Sequence, residues 1–247
     1  MYSIETYNRP SVAVDTVVFG VKTIKADKSN AVDKKQLQLL LVRRKEYPHK
    51  GKLSLPGGFL HEGETIEQSA LRTLNEKTGL VNPKLIPLGV YSEPHRDERG
   101  WIISSANIAL THTVDIYSSK NSTAMDAQWY DFKYDKVENK ITLSNDINVI
   151  QISDKITDCQ DIAFDHYKII WDGFTHLIDE VLSHDIVFDL MTEKFTMSEL
   201  QQVYEAILGT KLTAPNFRRK MSNKVEPTTY FDKVAAHRTS KLYTRKR

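Results

Sequence analysis

One cysteine, Cys159, stands alone in a chain of 247 residues. Without a second, an intramolecular disulfide is excluded, and so is any metal site built on cysteine. No apolar run approaches the roughly 20 residues that a bilayer-spanning helix needs, and the N-terminus lacks a secretory pattern. No membrane partner and a cytoplasmic location are therefore expected. Internal repeats and low-complexity runs are missing too, which argues against a repeat architecture.

What is present is an ordinary globular composition, 40% hydrophobic and 27% charged, in a chain long enough for one large domain or two. The formal net charge of +2 conceals an asymmetry. Residues 211–247 hold eleven lysines and arginines against Glu226 and Asp232, a balance of +9, whereas the other 210 residues carry 23 basic and 30 acidic groups, a balance of −7. A basic end on an acidic body points to a polyanion partner for that end alone.

Taken in order, residues 11–21 alternate as a half-buried strand and Leu37–Val42 form a more apolar one, with the polar Lys22–Lys35 stretch as an exposed connection. Tyr47–Gly51 is a turn and Leu53–Leu55 a short strand. Further strands are expected at Leu85–Ser92, Trp101–Thr113 and Gln128–Phe132, so that strands flank one early helix in an α+β sandwich. Residues 133–160 look polar and irregular, an insertion with a strand pair near Ile141–Leu143 and Val149–Ile152.

The stretch from Gly58 to Leu80 organises the first part of the chain. Thr65 with Gln68 forms a capping box, Gly79 is a natural stop, and Ile66, Ala70 and Leu74 repeat as a buried stripe. Positions 73, 76 and 77 fall within an arc of about 100° beside that stripe. Gly58, Glu64, Arg72, Leu74, Glu76, Gly79 and Leu80 resemble the signature of the Nudix hydrolases, but Thr73 and Lys77 stand where that family carries acidic residues. Three carboxylates there would hold Mg²⁺ against substrate phosphates. This helix offers Glu76 alone, with the Lys77 ammonium where a cation would sit. The expectation is a fold element with no catalytic residues and no required cofactor, whose cleft still takes a diphosphate with Lys77 replacing part of the cation's charge. Glu64, Arg72, Glu76 and Mg²⁺ matter only if hydrolase activity persists.

Loop 93–101 is the second informative stretch. Arg96 and Arg99 suit an anion, and Trp101 a flat ring, although Arg96-Asp97-Glu98-Arg99 also reads as a self-paired turn. His61 and His95 lack a second histidine at ligand spacing and are assigned to no metal.

From Ile162 the pattern turns helical. Residues 165–182 carry one broad apolar face. Thr196 with Glu199 opens a second helix ended by Gly209, and Thr213 caps a third. Helix, glycine turn, helix is the spacing of a helix-turn-helix. Phe217 and Met221 face its core; Arg219 lies opposite, flanked by Asn216, with Arg218 and Lys220 on the shoulders. Arginine reads guanine edges and asparagine reads adenine, whereas shoulder cations suit phosphates. A β-ribbon from Val225 returning through Arg238 and Lys241 gives a basic wing, so the expected partner is double-stranded DNA.

Arg9-Pro10, Val14-Asp15, Leu55–Phe59, Arg72–Thr78, Arg96–Gly100, Ala163–His166 and Phe217–Arg219, in that order, resemble the Nudix-related transcriptional regulators of NAD metabolism (NrtR-type) over nearly the whole chain. The resemblance implies a Nudix-type α/β/α sandwich followed by a C-terminal winged helix-turn-helix domain. Residues 1–160 would form the ligand-sensing domain, 161–185 a linker helix and 186–247 the DNA-binding domain. It implies a homodimeric repressor released by ADP-ribose or a related nucleotide-sugar. Arg96, Asp97, Arg99, Glu64 and Lys77 are implied on the ligand, and Asn216, Arg218, Arg219, Lys220, Arg238 and Lys241 on DNA. The alternatives are a working ADP-ribose pyrophosphatase with an accessory basic domain and a sugar-responsive regulator on the same scaffold.

Overall fold

The computed structural model describes residues 7–26, 33–112, 127–155, 159–235 and 238–246. Two apolar strands form its centre, β1 (Ser11–Ile24) and β2 (Lys34–Arg43), paired antiparallel. Successive side chains of a strand point to opposite faces. Accordingly, Val17, Phe19, Leu39 and Leu41 enter one buried layer, and Val18 and Leu40 the other.

Two short strands lie beside this pair: β3 (Leu53–Ser54) on β2 and β4 (Gly57–Phe59) on β1. Past the helix α1 (Ile66–Thr78), β5 (Leu85–Tyr91) and β6 (Ile102–Thr111) close one edge, with β6 parallel to β1. At the other edge β7 (Ala127–Asp135), β8 (Lys140–Ser144) and β9 (Val149–Ser153) continue the sheet as an antiparallel meander, which makes nine strands among the described residues. The expectation of an irregular insertion at 133–160 is thereby corrected. Its strand pair is present, and Ile141, Leu143, Ile150 and Ile152 are buried. Polar residues alternate with them on the outer face, and that dilutes the apolar signal. Residues 156–158 lie outside the described residues.

α1 packs on one face with Leu74 against Val18, Leu40 and Ala109. Its capping box is complete, and Gly79 ends it at φ 75°, where a Cβ would be strained. The buried stripe differs from the expected one. It runs through Ser69, Ala70, Thr73, Leu74 and Thr78, while Ile66 is only partly covered. Thr73 is therefore a packing residue: its hydroxyl donates to the Ala70 carbonyl, and its methyl group lies under Gly58.

The opposite face is covered by α2 (His166–Ser183), whose Ile169, Ile170, Phe174, Leu177 and Val181 are buried. It is a full layer of the sandwich as well as a connection. Beyond a short 3-10 helix (Ile186–Leu190) come β10 (Phe195–Thr196), α3 (Met197–Leu208), α4 (Ala214–Met221), β11 (Val225–Ala235) and β12 (Arg238–Arg245). The last two strands form a ribbon, with β12 between β10 and β11. Leu200, Val203, Tyr204, Ile207, Phe217 and Met221 make a core that runs without a break into the α2 layer. α3 also docks on the start of β2: the Lys35 ammonium meets Glu199 at 2.8 Å, and its amide donates to Gln202 Oε1 at 2.7 Å. Among the described residues no helix is long and apolar enough to cross a membrane.

Candidate functional site

A cavity of about 210 Å³ opens where the ends of β1 and β2 meet β4, α1, the 93–101 loop and the start of α2. Its floor is Asp15, buried on β1. Ser104 Oγ donates to one oxygen at 2.5 Å, and His166 Nε2 stands 3.6 Å from the other. The Leu55 amide donates to His166 Nδ1 at 3.0 Å. A ring nitrogen that accepts an N–H carries no proton, so His166 is the neutral Nε2–H tautomer facing Asp15. Burial pushes its pKa down, against the opposing pull of Asp15 and Asp165. Gly57 closes this floor; a Cβ there would collide with Asp15 Oδ1 and the Val14 carbonyl.

Above the floor the cavity is cationic. Lys77 reaches in from α1 and donates to the Gly57 carbonyl. Burial lowers its pKa, while Asp15 opposes that shift. Arg44, which follows β2, donates through Nε to the Pro48 carbonyl at 2.9 Å; burial and then Arg99 depress its pKa. Arg99 forks onto Asp97 at 2.9 and 2.6 Å, with its side chain 40% exposed. Burial alone would raise the Asp97 pKa, but the Arg99 side-chain and backbone hydrogen bonds bring it down. Arg96 forks onto Asp165 at 2.9 and 2.6 Å and is nearly closed off, 4% exposed. That buried pair latches the loop to the head of α2; removing one partner would strand the other charge at a cost of about 3–5 kcal/mol.

The structure thus brings Arg96, Asp97, Arg99 and Lys77 together around one cavity. Glu64 lies outside the lining. Arg72 grips it at 2.6 and 2.9 Å, and that hydrogen bond holds its pKa at about 2. Arg72 also reaches Glu76 at 3.3 Å. At the helix positions of a Nudix metal site, this chain therefore presents a buried threonine, an exposed carboxylate already paired, and an ammonium. That donor set does not fit a divalent cation, which takes oxygen ligands and is repelled by an ammonium. Trp101, expected to stack a flat ring, lies outside the lining and is 56% exposed. The rings that do line the cavity are Phe59 and Phe164. Asp15, Arg44, Phe164 and His166 were given no role by sequence reasoning. The only signals were the Val14-Asp15 and Ala163–His166 motif residues and the basic run after β2.

The second candidate surface is α4 with the ribbon behind it. Phe217 and Met221 are buried, and Phe217 meets the Tyr204 ring edge-on at 5.3 Å. Asn216, Arg218, Arg219 and Lys220 are exposed. Thr213 sits at the N-cap without a side-chain cap bond, and Pro215 fits the first turn. Among the described residues no carboxylate pairs with Arg218, Arg219, Lys220 or Lys241. Lys220 instead bends over the Tyr204 ring at 5.2 Å. Lys241, on β12, pairs with Phe231 across the ribbon and is exposed. Arg238 opens β12, and its side chain lies outside the described residues.

Two family models match this chain. The NUDIX domain covers residues 30–135, and the NrtR DNA-binding winged helix domain covers residues 187–244. The ADPR responsive transcriptional repressor NtrR of Acinetobacter baylyi is 31% identical over 246 residues, 98% of this chain and 84% of the relative. A MutT/nudix family protein from Enterococcus faecalis superposes with a TM-score of 0.78 and 28% identity, over 97% of this chain and 88% of that one. Shewanella oneidensis NrtR complexed with a 27mer DNA superposes at 0.66 with 26% identity, over 95% and 93% of the two chains. The NUDIX domain of that protein, complexed with ADP ribose, superposes at 0.50 with 26% identity, over 71% of this chain and 94% of that one.

Proposed function

This chain belongs to the NrtR family of Nudix-related transcriptional repressors, and from that premise we propose that it is a DNA-binding repressor whose Nudix cavity senses ADP-ribose or a similar anionic nucleotide-sugar. The observation that carries the reading is the pairing of two surfaces in one chain. One is a cationic cavity whose donor set does not fit a metal. The other is a winged helix whose exposed α4 face is basic and unpaired among the described residues. The first suits binding of a diphosphate without turnover, since Lys77, Arg44 and Arg99 supply positive charge that no cation needs to bring. The second suits a major groove, with Arg219 and Asn216 on base edges and Arg218, Lys220, Arg238 and Lys241 on phosphates.

As a homodimer, the protein would set two recognition helices about one DNA turn apart on a pseudopalindromic operator. It would act in the cytoplasm on genes of NAD or niacin metabolism. Ligand would favour the arrangement with lower DNA affinity, a two-state equilibrium biased by differential binding. Fluorescence anisotropy on operator DNA, titrated with ADP-ribose in the presence of EDTA, tests the reading. Release of DNA by ADP-ribose without any divalent cation is expected. Indifference to ADP-ribose, or brisk cleavage of it with Mg²⁺, would defeat the proposal.

A further inference from the structure

Planar cations and rings alternate along one wall of the cavity. The Arg44 guanidinium lies 4.6 Å from the centroid of the Phe164 ring, Arg99 lies 5.2 Å from the same ring, and Arg99 lies 5.1 Å from Phe59. Phe164 is the rung shared by both arginines. Its backbone sits at φ 55°, in the left-handed region that a bulky L-residue enters only at a cost. Core packing does not explain the choice, because the ring fronts the cavity, is only partly buried and stands outside the hydrophobic core. Glycine or asparagine would make the same turn with less strain. The ring is nonetheless braced: His49, also at positive φ, meets it edge-on at 4.6 Å, and His166 lies 5.4 Å away. A strained residue held in place at the wall of a ligand cavity points to a role in binding.

Resting on the reading of this cavity as a nucleotide-sugar site, we propose that Phe164 is the platform for the ligand's flat ring, within a ladder running Phe59, Arg99, Phe164, Arg44. A heteroaromatic base stacks on rings and guanidinium planes alike. Guanidiniums stacked face-on keep their N–H edges in plane for an adjoining diphosphate. The two functions are separable here because the arginines have anchors of their own, Asp97 for Arg99 and the Pro48 carbonyl for Arg44. The site therefore selects a base joined to a diphosphate over either part alone.

The test uses the full chain and the variants Phe164→Gly and Phe164→Trp, with ADP-ribose and inorganic pyrophosphate as calorimetric probes and thermal unfolding in parallel. Phe164→Gly is expected to unfold at or above the wild-type temperature, since glycine takes this φ freely. It should bind ADP-ribose about tenfold more weakly, in line with the loss of one base–aromatic stack. Pyrophosphate affinity should fall by less than about threefold, and Phe164→Trp should keep ADP-ribose near wild type. The platform is overturned if Phe164→Gly binds ADP-ribose as tightly as wild type. It is equally overturned if pyrophosphate affinity falls in step, which would leave the ring as a prop for the arginines. A marked drop in unfolding temperature would make it a core group and overturn it too. Wild-type protein that binds neither probe overturns the site itself, before any variant is made.

Discussion

At the scale of single residues, the cavity floor is a short relay from backbone to carboxylate. The Leu55 amide fixes the tautomer of His166, whose remaining N–H faces Asp15, while the Ser104 hydroxyl holds the other carboxylate oxygen. Protonating His166 at Nδ1 would set two protons against each other in a fully enclosed spot. Burial lowers its folded pKa below the ordinary value near 6.5, so the unfolded chain binds a proton that the native chain refuses. The group's contribution is therefore intact above that value and is lost as pH falls through the window beneath it, at up to about 1.4 kcal/mol per pH unit. Urea unfolding between pH 5 and 7.5 should show stability declining below pH 6.5. His166→Asn, which keeps an acceptor near the Leu55 amide, should flatten that decline, although His49, also depressed by burial, leaves some slope. An unchanged slope in the variant would mean that His166 is charged in the native state and that the tautomer argument is wrong.

At the scale of elements, α4 is eight residues long, too short to hold itself in water, and it persists because Phe217 and Met221 are seated against α3. The outward face is thereby free of structural duty, and its residues can be changed separately. Arg219→Ala should cost about 1–3 kcal/mol on operator DNA and relax the base preference, as loss of a bidentate base contact does. Lys241→Ala should weaken all sequences alike and lower the salt slope by about 1. Competition anisotropy with scrambled operators, repeated over a salt series, separates the two; a sequence preference unmoved by Arg219→Ala would put base reading elsewhere. Elements of this kind were legible in the sequence because their signals are local. Thr65 with Gln68, Thr196 with Glu199, and the stops at Gly79 and Gly209 each lie within one helix, and all four are present. The ligand site was only half legible. Arg96 and Arg99 share one loop and could be read together, whereas the ladder draws Arg44, Phe59, Arg99 and Phe164 from four separate segments. Trp101 attracted the aromatic role because it is next to the arginines in sequence, but its ring lies outside the cavity lining. Thr73 fell beside the expected stripe by angle alone, and the close approach of Gly58 draws it into the core.

At the scale of the whole molecule, two stiff elements run between the cavity and the winged helix. β2 spans ten residues, about 33 Å, with Lys35 on α3 at its start and Val42 and Arg43 in the cavity lining at its end. α2 spans 18 residues, about 27 Å, from the Arg96–Asp165 latch at its head to the 3-10 helix that opens the winged helix. The core is unbroken between them, so an adjustment at the cavity end cannot be absorbed by a soft hinge and must appear at α3. The β2 route passes through a polar joint that can be cut without touching either core. Lys35 meets Glu199 through its ammonium and Gln202 through its amide, and Gln202 returns a bond to the Asp33 carbonyl at 3.2 Å. Glu199 is unsuitable as a target because it also completes the α3 capping box. Lys35→Met with Gln202→Ala removes the joint's side-chain contacts and leaves the helix cap in place. A coupling of about 1–3 kcal/mol between ADP-ribose and DNA is the ordinary range for such a switch. The double variant should keep both separate affinities while the ratio of DNA dissociation constants with and without saturating ADP-ribose shrinks by about 0.5–2 kcal/mol. If that ratio holds at its wild-type value, β2 carries no coupling and the signal runs through α2, where loosening the Arg96–Asp165 latch becomes the variant that must silence it.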